Sequence, residues 1–192
     1  IRCLKEDSKG NLWICTSRAG VYKLTTDGGV KKYDKSNGLN GERYRTVTEL
    51  SDNTILVAGD SGMSFIKDDD SVYNIGTQMI NSKVLCTLQA DDKTIFAGTD
   101  GNGIEVIRDG VIAGNFGKDE GLSSEVILRM VEDSSGDGIF IVTSNSICYM
   151  DKTQNIRVLK NFPYYNNYDI VNGKDGMLFV LSSAGIFVVD EK

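Results

Sequence analysis

The feature of this sequence that most restricts its fold is an apolar segment that recurs about every forty residues. Five such segments, each ending in Thr, Gly or Ser, align with one another at positions 11–16, 54–59, 94–99, 138–143 and 177–182. Their last residues are separated by 43, 40, 44 and 39 positions. A fixed period of this length is typical of repeat architectures, in which each unit buries its apolar faces against its neighbours.

Two further marks keep the same period. After each segment, a short loop leads to Gly or Ser followed by an apolar residue, at Gly20-Val21, Gly62-Met63, Gly103-Ile104, Ser146-Ile147 and Gly185-Ile186. Before each segment, Asp, Asn, Ser, Lys and Gly cluster, and most of these types suit tight turns. The first period is therefore predicted to contain four short strands, at 1–5, 12–16, 21–24 and 30–33. Residues 123–132 are predicted to form an inner strand rather than a helix, because they align with the start of the chain.

Short strands at this period predict an all-β fold, a β-propeller of four-stranded antiparallel blades with a period of about 41 residues. A twisted blade with two apolar faces cannot bury both alone, and stacking around an axis hides them. The predicted blades are 1–45, 46–83, 84–125, 126–167 and an incomplete 168–192.

The count of units predicts a partial ring. The chain holds four full units and three strands of a fifth, whereas seven blades of this period would need about 290 residues. The chain also begins in a strand, with neither an initiator Met nor a signal peptide, so we expect it to be a piece of a longer protein. We therefore expect an arc of a seven-bladed propeller. A closed five-bladed ring is the alternative.

Composition excludes several classes of function. The formal net charge is −6 and the basic residues are scattered, so no nucleic-acid surface is predicted. The chain has no His, which removes His-based triads and His metal ligands. No run of eighteen apolar residues occurs, so no membrane span is predicted in this segment.

Neither a metal nor another cofactor is predicted. The acidic turns, including Asp68-Asp69-Asp70, lack the alternating pattern of a calcium loop and are interpreted as solvated turns. The four cysteines form no CxxC pair, so they are interpreted as buried free thiols. A bridge between Cys3 and Cys15 across a hairpin stays open as an alternative. Cys3 and Cys86 occupy the same place in the repeat.

The first unit resembles the two-component regulator propeller repeat. That resemblance is carried by Glu6-Asp7-Ser8-Lys9-Gly10-Asn11-Leu12-Trp13-Ile14-Cys15-Thr16, by Gly20-Val21-Tyr22-Lys23-Leu24, and by Tyr33 and Asn37-Gly38-Leu39. It recurs in part at Asp119-Glu120-Gly121-Leu122. Cys15 replaces the usual Gly, and the later units lack the Trp. Trp13 itself is expected in the core of the blade.

The resemblance implies a sensor module. Runs of these repeats form extracytoplasmic, seven-bladed propellers in membrane-anchored bacterial signalling proteins, which lead to a histidine kinase, a hybrid two-component protein or a diguanylate cyclase. It therefore implies a non-catalytic, ligand-sensing segment located outside the cytoplasm. A propeller that mediates protein–protein contact and dimerises its parent is the alternative. A propeller lyase or hydrolase is a third hypothesis, disfavoured by the missing His.

The loops between blades, and those between the second and third strands, are the expected place for function. The most unusual loop, 161–168, holds the only Pro and three of the eight Tyr. Its Tyr and Asn side chains suit a sugar or peptide ligand, although packing on a neighbouring blade would also explain them. The candidate ligand-binding residues are Arg18, Arg43, Tyr44, Tyr164, Tyr165 and Asn166. Partners are expected to be such a ligand and a second copy of the chain, bound through exposed blade edges.

Overall fold

The short apolar segments form strands throughout the computed structural model, which describes residues 1–76, 80, 82–161, 169–173, 177–182 and 184–190. The strands assemble into five antiparallel sheets, four with four strands and one with three. This arrangement confirms the predicted all-β propeller with four-stranded blades. The only helical segment in the described part of the chain is a 3₁₀ turn at Lys35–Asn37.

The strands follow the predicted order along the chain. Blade one contains β1 Cys3–Glu6, β2 Leu12–Cys15, β3 Val21–Leu24 and β4 Val30–Tyr33. Blade two contains β5 Tyr44–Glu49, β6 Ile55–Gly59, β7 Gly62–Ile66 and β8 Val72–Gly76. Blade three contains β9 Val84–Gln89, β10 Ile95–Thr99, β11 Ile104–Arg108 and β12 Val111–Phe116. Blade four contains β13 Ile127–Glu132, β14 Gly138–Thr143, β15 Ser146–Asp151 and β16 Ile156–Asn161. Blade five contains β17 Asp169–Asn172, β18 Met177–Ser182 and β19 Gly185–Asp190.

Each blade is a meander whose first strand is the innermost. Within every sheet the strands pair in chain order. Consecutive blades contact each other mainly through their first strands, in the order β1, β5, β9, β13 and β17. Strand β13 confirms the prediction that residues 123–132 contribute an inner strand rather than a helix.

Apolar clusters fill the spaces between neighbouring blades. Between blades one and two, for example, Trp13, Tyr33 and Tyr44 pack with Val47 and Val57. The second strands β6 and β10 are buried along their whole length, because another blade covers each of their faces. This explains why these segments are continuous apolar runs, and the burial of Trp13 confirms its predicted place in the core.

The first turn shows why its acidic and Gly residues are needed. The Asp7 carboxylate accepts hydrogen bonds from the backbone N–H groups of Lys9 (3.0 Å) and Asn11 (2.8 Å). It also accepts one from Trp13 Nε1 at 2.8 Å. Gly10 closes the turn with φ +80°, a conformation that glycine adopts without strain. The turn therefore ties the second strand to its hairpin through a buried carboxylate.

The Asp68-Asp69-Asp70 run forms the turn between β7 and β8. Asp69 accepts from the Ser71 N–H at 3.0 Å, as expected of a tight turn. Asp70 accepts from the Tyr33 hydroxyl and so also links this turn to blade one. Within the described residues, no group of three or more acidic or Cys side chains is placed to hold a metal ion.

The cysteines are distributed largely as predicted. Cys15, Cys86 and Cys148 are buried, whereas Cys3, on the first strand of blade one, is only partly buried. Cys3 and Cys15 are direct partners across the β1–β2 hairpin, and both carry free thiols. Cys3 and Cys86 do share one place in the repeat, since each pairs with the corresponding position of its second strand.

The first and fifth blades each leave one face uncovered. In β18, Leu178 and Val180 are buried against blade four, whereas Met177, Phe179 and Leu181 on the other face are exposed. In the described part of the chain, β17 does not pack against β1 as neighbouring inner strands do. The structure thus shows five blades and not a seven-bladed ring. Among the described residues, no helix has the length and apolar character needed to cross a bilayer.

Candidate functional site

The loops that the sequence predicted to carry function meet at one end of blades one and two. The Gly20 N–H donates to the Glu42 carbonyl at 3.0 Å, and the Tyr44 N–H donates to the Thr16 carbonyl at 3.0 Å. These two bonds fasten the β2–β3 loop to the connection between the blades. Side chains from both loops are therefore held beside the start of the inner strands.

A cavity of about 160 Å³ opens between these loops. It is lined by Arg2, Ser17, Arg18, Arg43, Tyr44, Arg45 and Asp60. Four guanidinium groups thus share one carboxylate, which leaves an excess of three formal positive charges in a chain whose net charge is −6. We call this cavity the arginine pocket.

Asp60 partly neutralises the arginine pocket. Arg45 Nε donates to Asp60 Oδ1 at 2.7 Å, and Arg43 Nη1 lies 3.7 Å from Asp60 Oδ2. Among the described residues, neither Arg2 nor Arg18 forms an ion pair. Because one carboxylate cannot balance four guanidinium groups, the pocket keeps unmatched donors and positive charge.

A β-bulge places Arg45 in the pocket. In the β5–β6 ladder Tyr44 pairs with Gly59 and Thr46 pairs with Ala58, so Arg45 is the extra, unpaired residue. Bulges redirect a side chain without ending the strand. The same bulge recurs in blades three and four, where the extra residues are Leu85 and Leu128.

Blade three shows the corresponding arrangement without the excess of charge. Lys83 Nζ lies 3.3 Å from Asp100 Oδ2, and the Asp100 N–H donates to the Lys83 carbonyl, as Asp60 does to Arg43 in blade two. With Leu85 at the bulge, blade three contributes one positive and one negative charge here, whereas blade two contributes Arg43, Arg45 and Asp60. The blade scaffold therefore does not itself require the additional arginines.

The structure brings together three of the residues predicted for the site. Arg18, Arg43 and Tyr44 all line the arginine pocket, as does Arg45, which follows them in the same segment. The Tyr44 ring is buried, its hydroxyl donates to Asn40 Oδ1 at 3.0 Å, and burial raises its pKa. Tyr44 thus forms a wall of the pocket with its hydroxyl already engaged.

Tyr164, Tyr165 and Asn166, the other predicted residues, lie outside the described residues, so their role stays a prediction. Sequence reasoning missed Arg2 and Asp60. Arg2 precedes Cys3 as Arg45 precedes Thr46, and Cys3 and Thr46 are equivalent in their ladders. Comparing the units position by position would have revealed this recurring arginine.

A second cavity, of about 330 Å³, lies at the opposite end of blades three and four, among the turns of the hairpins. Its floor includes Phe96, Ile139 and Met150, and its rim is acidic. Burial, reinforced by the nearby charge of Asp91, raises the pKa of Glu132 at this rim. This cavity has the opposite electrostatic character to the arginine pocket.

One family model matches the start of the chain. Residues 1–18 match the family model described as Two component regulator propeller, which confirms the resemblance seen in the first repeat. No curated protein matches the sequence.

Solved structures of other proteins share the fold at low sequence identity. The extracellular domain of BT4673 from B. thetaiotaomicron, described as a hybrid two component system, superposes with a TM-score of 0.81 at 17% identity. The match covers 97% of this chain and 29% of that domain. The extracellular domain of BT3049, from the same organism and described in the same way, gives a TM-score of 0.78 at 19% identity, covering 96% of this chain and 26% of that one. This chain therefore spans less than a third of either domain.

An enzyme shares the fold as well. A catalytically inactive virginiamycin B lyase from Staphylococcus aureus, with a histidine replaced by alanine and solved with quinupristin, gives a TM-score of 0.76 at 15% identity. The match covers 97% of this chain and 68% of the lyase. At these identities the three likenesses show a shared fold alone and carry nothing about activity.

Proposed function

We propose that this chain is a non-catalytic, ligand-sensing segment of a propeller in the extracytoplasmic part of a bacterial membrane signalling protein. The observation that carries the proposal is the match of residues 1–18 to the two-component regulator propeller repeat. The likeness to two extracellular domains of hybrid two component systems supports the same location and role. The arginine pocket supplies a concave polar site at the loop end, where propellers and other rigid scaffolds carry binding residues.

The uncovered faces support the further proposal that the five blades are an arc of a larger ring, of seven blades in the parent. Exposed apolar side chains on blade five include Val171, Ile186 and Val188, and Leu4 is exposed on blade one. Large apolar patches are rare on monomeric soluble proteins and mark contact surfaces. Neighbouring blades of the parent would cover these faces, and in isolation the same faces favour self-association.

Catalysis is the less favoured alternative. A virginiamycin B lyase is described as inactive when one of its histidines is replaced, and these 192 residues contain no histidine. A lyase or hydrolase would have to rely on carboxylates or Tyr. Turnover of a polysaccharide that is lost on substitution of a Tyr or Glu would establish such an enzyme and overturn the sensing proposal.

A thermal-shift screen of glycans and peptides tests ligand binding by this segment. A ligand present at a hundred times its Kd stabilises the folded state by about 2.7 kcal/mol. For a domain of this size that corresponds to a rise in Tm of about 5–10 °C. Arg18→Gln combined with Arg43→Gln should remove the shift. The absence of a shift with every compound, together with stable dimerisation, would favour the interaction role instead.

A further inference from the structure

We propose that the arginine pocket binds the oxyanion group of a small ligand, either a carboxylate or a sulfate or phosphate ester. The inference rests on the proposed sensing function, because it assigns a ligand class to the same site. It is based on the charges that line the arginine pocket, on the hydrogen-bond donors left without acceptors there, and on the size of the pocket.

The arginine pocket carries unbalanced positive charge. Four guanidinium groups beside one carboxylate leave a local excess of positive charge at a solvent-accessible site, whereas the chain elsewhere carries an excess of acidic residues. Packing of the blade does not require an arginine at position 45, since leucines occupy the equivalent bulge position in blades three and four. An anion in the pocket would balance the positive charge that the protein's own groups leave in excess.

The arginine pocket also holds hydrogen-bond donors that have no acceptor among the described residues. Arg45 uses its Nε for Asp60, and its terminal nitrogens have no hydrogen-bond partner among the described residues. The same holds for the side chains of Arg2 and Arg18 over the described ranges. Guanidinium groups present planar forks that match carboxylate and phosphate oxygens, which a lysine ammonium cannot do in two-pronged fashion.

The dimensions of the arginine pocket limit what it can hold. At about 160 Å³ the arginine pocket is smaller than the 300–1,000 Å³ range typical of sites for drug-sized ligands. It therefore suits one anionic group, with the rest of the ligand lying across the neighbouring loops. Ser17 adds a hydroxyl to the lining and can donate to an oxyanion or accept from a ligand hydroxyl.

Isothermal titration calorimetry of the 192-residue chain with a matched set of probes tests this inference. The probes are glucose, glucuronate, glucose 6-phosphate and inorganic sulfate, all titrated at one ionic strength because screening weakens such contacts. We expect binding of the anions and no binding of glucose. If glucuronate alone binds, the ligand group is a carboxylate; if only glucose 6-phosphate and sulfate bind, it is a tetrahedral ester.

Variants connect the binding to the arginine pocket. Arg2→Gln and Arg18→Gln avoid freeing Asp60 from its partners, and each should weaken anion binding at least tenfold, since one charge-assisted contact is lost. Arg18→Lys should recover only part of the loss. The matched control is Arg157→Gln, which removes an arginine that stacks on Tyr149 in blade four and should leave binding unchanged. Circular dichroism and Tm of each variant verify folding.

Three results would overturn the inference: no probe binds, glucose binds as tightly as glucuronate, or the Arg2 and Arg18 variants bind as well as the original chain. The sensing function fails separately. In one outcome, anions bind as predicted while the output of the full-length signalling protein responds neither to the anion nor to these substitutions. That result would support the anion site and contradict the sensing function. If the output responds to a neutral ligand while no anion binds, the sensing function is supported and the anionic ligand class is contradicted.

Discussion

The indole N–H of Trp13 donates a 2.8 Å hydrogen bond to the Asp7 carboxylate, and both side chains are buried. This bond explains why an Asp and a Trp six residues apart belong to one signature. The Asp organises the turn through two backbone N–H groups and at the same time satisfies the one polar atom of the buried indole.

Replacing Asp7 by Ala should therefore destabilise the chain severely. The change leaves the Trp13 indole and two backbone donors without their acceptor, and we expect a loss of about 3 kcal/mol in the free energy of unfolding. Urea denaturation with a fixed m-value measures it. The control is Asp52→Ala in the corresponding turn of blade two, where the carboxylate accepts one bond, from the Thr54 N–H, and the loss should be below about 1 kcal/mol. Equal losses at the two positions would contradict this account.

The same carboxylate predicts a dependence of stability on pH. Burial alone would raise the pKa of Asp7, but hydrogen bonds from Asn11 and Trp13 outweigh it and lower the pKa below its ordinary value. Asp7 therefore stabilises the fold above its unfolded pKa of about 3.9, and that contribution is lost as pH falls through the lower folded pKa. The difference in unfolding free energy between the original chain and Asp7→Asn should be constant from about pH 8 to pH 5 and should shrink below about pH 4. If this difference in unfolding free energy instead grows as the pH falls, the lowered pKa of Asp7 is contradicted.

The residue just before the third strand must be glycine in blades one and three, because the neighbouring backbone leaves no room for a Cβ atom. A Cβ on Gly20, at φ +74°, would lie 2.1 Å from the Tyr33 carbonyl oxygen, and one on Gly103, at φ +64°, would lie 2.0 Å from that of Phe116. Gly20→Ala and Gly103→Ala should each cost about 3 kcal/mol or more, from strain and clash together. Gly28→Ala, at φ +87° with no atom within 4 Å of its Cβ, isolates the strain and should cost about 1 kcal/mol. If thermal or urea unfolding gives Gly28→Ala the same loss of stability as the other two variants, the backbone must shift to remove the clash at Gly20 and Gly103.

These contacts show which parts of the fold local sequence could predict. Short-range constraints determine three features of the blades: the Asp of the first turn, the Gly before the third strand and the apolar second strand. These features recur with the period and could therefore be predicted. The strand bounds were close for the same reason: Val21–Leu24 and Val30–Tyr33 form as predicted.

The site was less predictable, because it is assembled between blades. Arg18 and Arg43 could be proposed from loop composition, but Asp60 belongs to the turn after β6 and reaches Arg45 only because a bulge turns that side chain. Arg2 and Arg18 reach the same pocket from blade one, and their distance from the Asp60–Arg45 pair of blade two depends on how the two sheets stack. No local pattern in the sequence encodes the pairing of Asp60 with Arg45, so Asp60 was missed, whereas Arg2 was recognisable from its equivalence to Arg45.

Thiol reactivity should distinguish Cys3 from the other cysteines. Burial raises the pKa of the Cys15 thiol and raises that of Cys86 to about 12, and Cys148 is also buried. Since the thiolate is the reactive form, a chromogenic disulfide reagent should modify only Cys3 rapidly in the native chain, and all four thiols after denaturation. Cys3→Ser should abolish the rapid phase. Rapid modification of two or more thiols in the native chain would contradict the packing described for the blades.

The uncovered face of blade five predicts the association state of the chain. Ile186 and Val188 lie on this face and are 68% and 57% exposed, so two copies can bury them against each other. We expect the chain to form dimers or larger species in light scattering coupled to size exclusion. Ile186→Lys with Val188→Lys should shift it to the monomer and change the free energy of unfolding by less than about 1 kcal/mol, because neither residue is in the core.

The control for that experiment separates the blade face from exposed apolar surface in general. Val111, on the outer strand β12, is 55% exposed, yet it lies on the rim of blade three and not on an uncovered face. Val111→Lys should therefore leave the association unchanged. If the original chain is instead a monomer in which blades one and five close on each other, Ile186→Lys with Val188→Lys will destabilise it strongly, since the lysines would enter a core. That result would replace the arc by a closed five-bladed ring.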